Sequence, residues 1–137
     1  TLDGLIVVET VENPPEQVAN IASGVEKAKQ YLGMPYFWGG MHPSTSFDCS
    51  GLIQWSYGQA GVAIPRTAAQ QFLASVKIDV KDVLPGDLVF FSYGKGIQHV
   101  GIYVGNGMML NSQNAGVVIE KISGWKQHLA GFGRVVN

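Results

Sequence analysis

Along this chain the spacing of apolar residues changes once, near residue 75. Before that point they recur at three- and four-residue intervals, and beyond it they come in short β-prone runs cut by turn residues. Val25, Ala28, Tyr31 and Leu32 mark a first helix, opened by Ser23 and Glu26 at capping-box spacing and stopped by Gly33 and Pro35. Leu52, Ile53, Trp55, Ser56, Gln59 and Ala60 mark a second, from about Cys49 to Gly61. A short third is expected over residues 67–74. Leu84-Pro85-Gly86-Asp87 then forms a turn, followed by strands at about 88–91, 100–104, 108–110, 117–122 and 131–136. Helices first and strands after predict an α+β domain, with the helices packed on a central antiparallel sheet of about five strands. Residues 34–47, rich in Gly, Pro, Ser and aromatics, read as a loop. Residues 1–22, broken by Asn13-Pro14-Pro15, read as a connector or edge segment, leaving 23–137 as the domain.

A chain of 137 residues is close to the commonest domain size, so one core is expected. Nine Lys and Arg against ten Asp and Glu give a net charge of −1, which supplies no electrostatic footprint for nucleic acid. No run approaches the roughly 18 apolar residues of a membrane span. The chain opens on Thr1 without a charged, then apolar, leader, so the expectation is an excised domain or processed product with any export signal, anchor or partner domain upstream. The single cysteine precludes an internal disulfide. No heptad pattern appears, and a monomer is the default.

That cysteine is the chemical focus. Cys49 falls in the first turn of the second helix, where unpaired N–H groups and the positive end of the macrodipole favour thiolate over thiol. On this basis its pKa is expected below the ordinary value of about 8.5, in the roughly 3.5–7.5 range of activated cysteines. A lone cysteine is commonly inert packing. Here Asp48 and Ser50 flank it, Gly51 allows close approach, and Tyr36-Phe37-Trp38-Gly39-Gly40 lies just upstream, surroundings that suit a nucleophile. A nucleophile at a helix N-terminus needs a base held beside it by another element, and His99 on an expected strand meets that need. His42 lies in a turn and His128 near the end of a polar helical stretch. Neither has a partner at metal-ligand spacing, so no metal is expected.

Four motifs in order resemble the NlpC-type bacterial cell-wall cysteine peptidases, a compact papain-like family. They are Pro35-Tyr36-Phe37-Trp38-Gly39-Gly40, Phe47-Asp48-Cys49-Ser50-Gly51-Leu52, Leu84-Pro85-Gly86-Asp87-Leu88-Val89-Phe90-Phe91 and His99-Val100-Gly101-Ile102-Tyr103-Val104-Gly105. The resemblance implies a papain-like fold in which Cys49 attacks an amide carbonyl and His99 relays the proton. A polar residue on the next strand orients the imidazole. Many relatives carry His there, whereas this chain has Asn111, whose carbonyl can fix the tautomer, with Gln113 as a substitute. The backbone N–H of Cys49 is the expected oxyanion donor. By resemblance Tyr36 lines the site, Asp48 and Ser50 line a subsite for the substrate's free amino group, and Arg66 is a possible partner for a substrate carboxylate or a solvated side chain. Trp38 is assigned to packing.

The implied substrate is the peptidoglycan stem peptide, cut between γ-linked D-glutamate and the diamino acid without a cofactor, by a domain of a larger enzyme at the bacterial cell wall. Rival readings are an N-acetylmuramoyl amidase or other papain-like acyl hydrolase or transferase, and a catalytically silent wall-binding module.

Overall fold

Pro14 and Pro15 start a helix rather than break one. Pro15 occupies the first helical position, where the missing N–H has no intrahelical use, and Val18 N–H donates to Pro14 O at 3.1 Å. The computed structural model describes residues 13–136. In it α1 runs Pro15–Lys29, and Ser23, the expected cap, is exposed in mid-helix. Residues 15–22 are therefore helix and not connector, and residues 1–12 lie outside the described residues. The buried positions Gln17, Ile21, Gly24, Val25 and Ala28 make one face, which packs on the second helix.

Beyond α1 come β1 (Met41–His42), β2 (Ser46–Phe47), α2 (Cys49–Gln59), α3 (Ala68–Ala74), β3 (Val76–Ile78), β4 (Leu88–Ser92), β5 (Ile97–Gly105), β6 (Met108–Gln113), β7 (Gly116–Lys121) and β8 (Leu129–Arg134). β1 and β2 form a small antiparallel hairpin inside the expected loop. The other six strands form one antiparallel sheet in the order β3-β8-β4-β5-β6-β7. The sixth strand, β3, is a three-residue edge too short and exposed to leave an alternating pattern. The mixed architecture of helices on an antiparallel sheet is the expected one.

Alternation along the strands divides the core in two. Leu88, Phe90, Val100, Ile102, Leu110 and Val117 face the helices. Val89, Phe91, Met109 and Phe132 face the other way and are covered by Ile122 and Trp125 of a 3-10 segment, Ile122–His128. Sequence places a polar helical stretch ending near His128 but not the cover its apolar residues provide. The turn before β4 is held by charge and shape together. Arg134 donates Nε and Nη2 to the two carboxylate oxygens of buried Asp87, both at 2.9 Å, while Asp87 Oδ2 also accepts from Leu84 N–H at 2.8 Å. Tyr57 in α2 donates its hydroxyl to Gly86 O at 2.7 Å, pinning that turn to the helices.

Candidate active site

The thiol is placed by an opening in the sheet. β5 and β6 pair from Gly105/Met108 to Ile102/Leu110 and no further toward His99, which leaves the β6 side of Val100 without a strand partner. The N-terminus of α2 fills that place, and the Val100 backbone N–H bonds to the Cys49 thiol. Ser112 Oγ on β6 donates to Phe47 O at 2.8 Å, drawing the segment before Cys49 into the gap. Asp48 caps the helix by accepting from Gly51 N–H at 2.7 Å, and its own N–H donates to Gly40 O at 3.0 Å. Gly51 packs on that same carbonyl: a Cβ there would lie 2.0 Å from Gly40 O. The sequence expectation that Gly51 serves close approach is met, and what approaches is the loop carrying Tyr36.

His99 stands on β5 with its ring on the sheet face opposite the helices. Its Nε2 lies 2.8 Å from Asn111 Oδ1 on β6. The ring is stacked on Trp125, centroids 4.8 Å apart and planes 12° off parallel, with Phe91 at 5.5 Å on another side. Only 7 % of His99 and 1 % of Asn111 remain exposed, so the hydrogen bond is shielded from water. Burial pushes the His99 pKa below its ordinary 6.5, against the upward pull of Asn111 and of the Glu120 carboxylate. Because Nε2 is engaged by Asn111, Nδ1 is the nitrogen left for the thiol.

The expected depression of the Cys49 pKa is not found. Burial raises it, and the Asp48 carboxylate adds to the rise. Together they outweigh the backbone N–H groups of Val100, Ser50 and Cys49 itself. The helix terminus supplies its donors, but the thiol is too deeply desolvated for them to prevail. Tyr36 feels the same sulfur: burial raises its pKa first, followed by Cys49 and Asp48, with Arg66 opposing. Tyr93, which follows β4, also feels Cys49 and packs its ring on His128 at 4.4 Å.

Asp48, Ser50 and Arg66 form one cluster beside the thiol. Arg66 reaches Asp48 with both arms, Nη1 to Oδ1 at 3.1 Å and Nη2 to Oδ2 at 2.9 Å, and Nη1 also donates to Ser50 Oγ at 2.9 Å. Its guanidinium is engaged by Asp48 and Ser50, with 26% of the side chain left exposed. Gln71 of α3 sets this up by donating to Ser50 O at 3.1 Å and Pro65 O at 2.9 Å, which lays the Arg66 segment over the first turn of α2. Trp38, expected in packing, is 84 % exposed. The tight turn closed by Gly40 N–H to Phe37 O, 2.9 Å, carries its side chain outward. Gln113, the alternative orienter, bonds to Glu120 Oε2 at 3.0 Å and not to His99.

Glu120, Trp125 and Tyr93 went unread in the sequence. The hairpin register held the signal for Glu120: Asn111 pairs with Val118, which makes Glu120 its diagonal neighbour on the same face. Trp125 and Tyr93 lie outside any pattern that periodicity detects.

A cysteine at a helix N-terminus and a strand-borne His–Asn pair are the groups a papain-like site requires. Residues 33–134 match the NlpC/P60 family, and the chain belongs to it. Over 116 residues it is 50% identical to the bifunctional muramidase/DL-endopeptidase CwlT of Bacillus subtilis, covering 81% of this chain and 35% of that one. It is likewise 50% identical over 113 residues to the probable endopeptidase p60 of Listeria seeligeri, covering 81% of this chain and 21% of that protein. Among solved structures, a lipoprotein-like NLP/P60 family protein of Staphylococcus aureus superposes with a TM-score of 0.83 at 34% identity, over 97% of this chain and 46% of the other. The chain thus spans about a fifth to a third of the length of these curated relatives.

Proposed function

We propose that this chain is the catalytic domain of a peptidoglycan hydrolase, a cysteine endopeptidase that cuts the stem peptide between γ-linked D-glutamate and the diamino acid. The observation that carries the reading is the constellation itself: Cys49 at the start of α2 with the Val100 N–H at its sulfur, and His99 bound through Nε2 to Asn111 at 2.8 Å. The names of its relatives support the same bond, since CwlT is called a DL-endopeptidase and another, 42% identical, a gamma-DL-glutamyl hydrolase.

In this scheme the Cys49 sulfur attacks the amide carbonyl as His99 Nδ1 accepts the thiol proton. The carbonyl oxygen becomes an oxyanion and takes the backbone N–H of Cys49 at the helix start. The imidazolium then protonates the leaving amine, and water hydrolyses the thioester with His99 as base. Tyr36, Asp48 and Ser50 line the subsite for the amino group of the substrate's first residue, and Arg66 holds the Asp48 carboxylate in place for it. No cofactor enters the scheme. The substrate puts the site of action at the bacterial cell wall, and the domain works as a monomeric part of a longer enzyme. Among the described residues no helix is long and apolar enough to cross a membrane.

The test is incubation of the domain and its Cys49→Ala variant with muropeptides of defined composition, products being identified by mass spectrometry. Cleavage between D-glutamate and the diamino acid by the wild type alone is the expected result. Release of the lactyl-linked peptide would instead make it an amidase, and intact muropeptides with an unreactive thiol would make it a binding module.

A further inference from the structure

Three donors converge on one carboxylate behind the His99–Asn111 pair. Glu120 Oε2 on β7 accepts from Asn111 Nδ2 at 2.8 Å and from Gln113 Nε2 at 3.0 Å, and the Glu120 side chain also bonds to that of Trp125. The indole offers only its N–H, so Trp125 is the donor there. Burial raises the Glu120 pKa, but the bonds from Asn111, Gln113 and Trp125, together with the charge of His99, outweigh it and hold the carboxyl below its ordinary value. Glu120 is an anion that only accepts.

That fact propagates. An accept-only partner obliges Asn111 to turn its NH2 toward Glu120, and the amide then presents Oδ1 to His99. Since Oδ1 cannot donate, Nε2 must carry the imidazole proton, which leaves Nδ1 as the base. Were the Asn111 amide reversed, its NH2 would face Nε2 and favour the tautomer whose proton sits on the thiol side. The same carboxylate holds by its N–H the indole that is stacked on the ring, so one residue governs both tautomer and plane.

We propose that Glu120 is a positioning residue of this site, acting through Asn111 and Trp125 to keep His99 in the tautomer that can accept the thiol proton. The proposal rests on the cysteine-peptidase reading given above. It extends the chain of groups to Cys49, His99, Asn111 and Glu120, across three adjacent elements of the sheet and the helix that meets it. Of the groups packed against His99, Phe91 from β4, Asn111 from β6 and Trp125 from the 3-10 segment are uncharged. Glu120, behind Asn111, supplies the charge that His99 feels.

Two readouts need no substrate. Long-range proton–nitrogen NMR reports the His99 tautomer and its titration, and iodoacetamide reports the Cys49 thiol. The wild type is expected to show the Nε2–H tautomer. Glu120→Gln keeps the shape and removes the charge, so the His99 midpoint moves to lower pH and kcat falls about tenfold with KM little changed. Mere loosening would act oppositely, because water entering the site would carry His99 up toward its ordinary value. Glu120→Ala frees the Asn111 amide, so mixed tautomers appear and kcat falls further. The double variant with Asn111→Ala is about as active as Asn111→Ala alone. An unchanged tautomer and midpoint in folded Glu120→Gln overturns the proposal, as does full additivity in the double variant. If the wild type cuts no muropeptide, the substrate reading fails, and the NMR and alkylation results still decide the role of Glu120.

Discussion

His99 and Cys49 are both held toward their uncharged forms by burial, so at rest they are a free-base imidazole and a thiol rather than an ion pair. This fixes the sign of the pH dependence. A depressed imidazole pKa keeps His99 available as a base below its ordinary value, so kcat/KM should rise with pH through a midpoint under 6.5. Alkylation of Cys49 should climb with a midpoint above the thiol's ordinary value, and rapid alkylation at pH 6 would contradict this. Asn111→Ala should lower kcat about 10²-fold while KM stays within a small factor, because the loss falls on the base and not on substrate contacts. At these positions the sequence carried a great deal. Cys49, His99 and Asn111 were legible from order and residue type. The direction of the thiol shift was not, since it depends on how deeply the helix end is buried, which residue types near Cys49 do not reveal.

The helices and strands themselves were mostly legible, and the misses share a cause. α1 begins at Pro15 because proline both stops and starts helices, and only the packing of the neighbouring residues against α2 decides between the two. β3 was missed because a three-residue exposed edge has no inward face to alternate. α2 and the Tyr36 loop are clamped at Gly51, where any side chain would strike Gly40 O. Gly51→Ala is therefore expected to displace the start of α2, abolish turnover and destabilise the domain by about 1–3 kcal/mol, as measured by urea unfolding. Trp38→Ala tests the opposite claim. With the indole largely in solvent, the unfolding free energy should stay within about 0.5 kcal/mol, and a larger loss would restore Trp38 to the core.

At the scale of the whole molecule, the ion pair of Arg134 and Asp87 joins distant parts of the chain. Arg134 at the end of β8 and Asp87 in the turn before β4 have side chains only 13% and 5% exposed, and their fork-to-fork geometry ties two interior strands of the sheet together, β4 being the neighbour of the strand that carries His99. Truncating one partner strands the other charge. Arg134→Ala should cost about 3–5 kcal/mol in urea denaturation, and a loss under 1 kcal/mol would show that water reaches Asp87 instead. The effect on kcat should be far smaller than on stability wherever the variant remains folded.

By itself the sequence determined the succession of the main helices and strands and singled out the residues proposed as nucleophile, base and orienter, because these are written in local periodicity, in turn residues and in motifs of fixed spacing. The tertiary structure decided the rest. That Arg66 is consumed by Asp48, that Trp125 covers His99, that Glu120 stands behind Asn111 and that the thiol is held protonated all depend on which residues distant in sequence are brought together and how much water is left between them. Packing sets both, and spacing along a chain records neither.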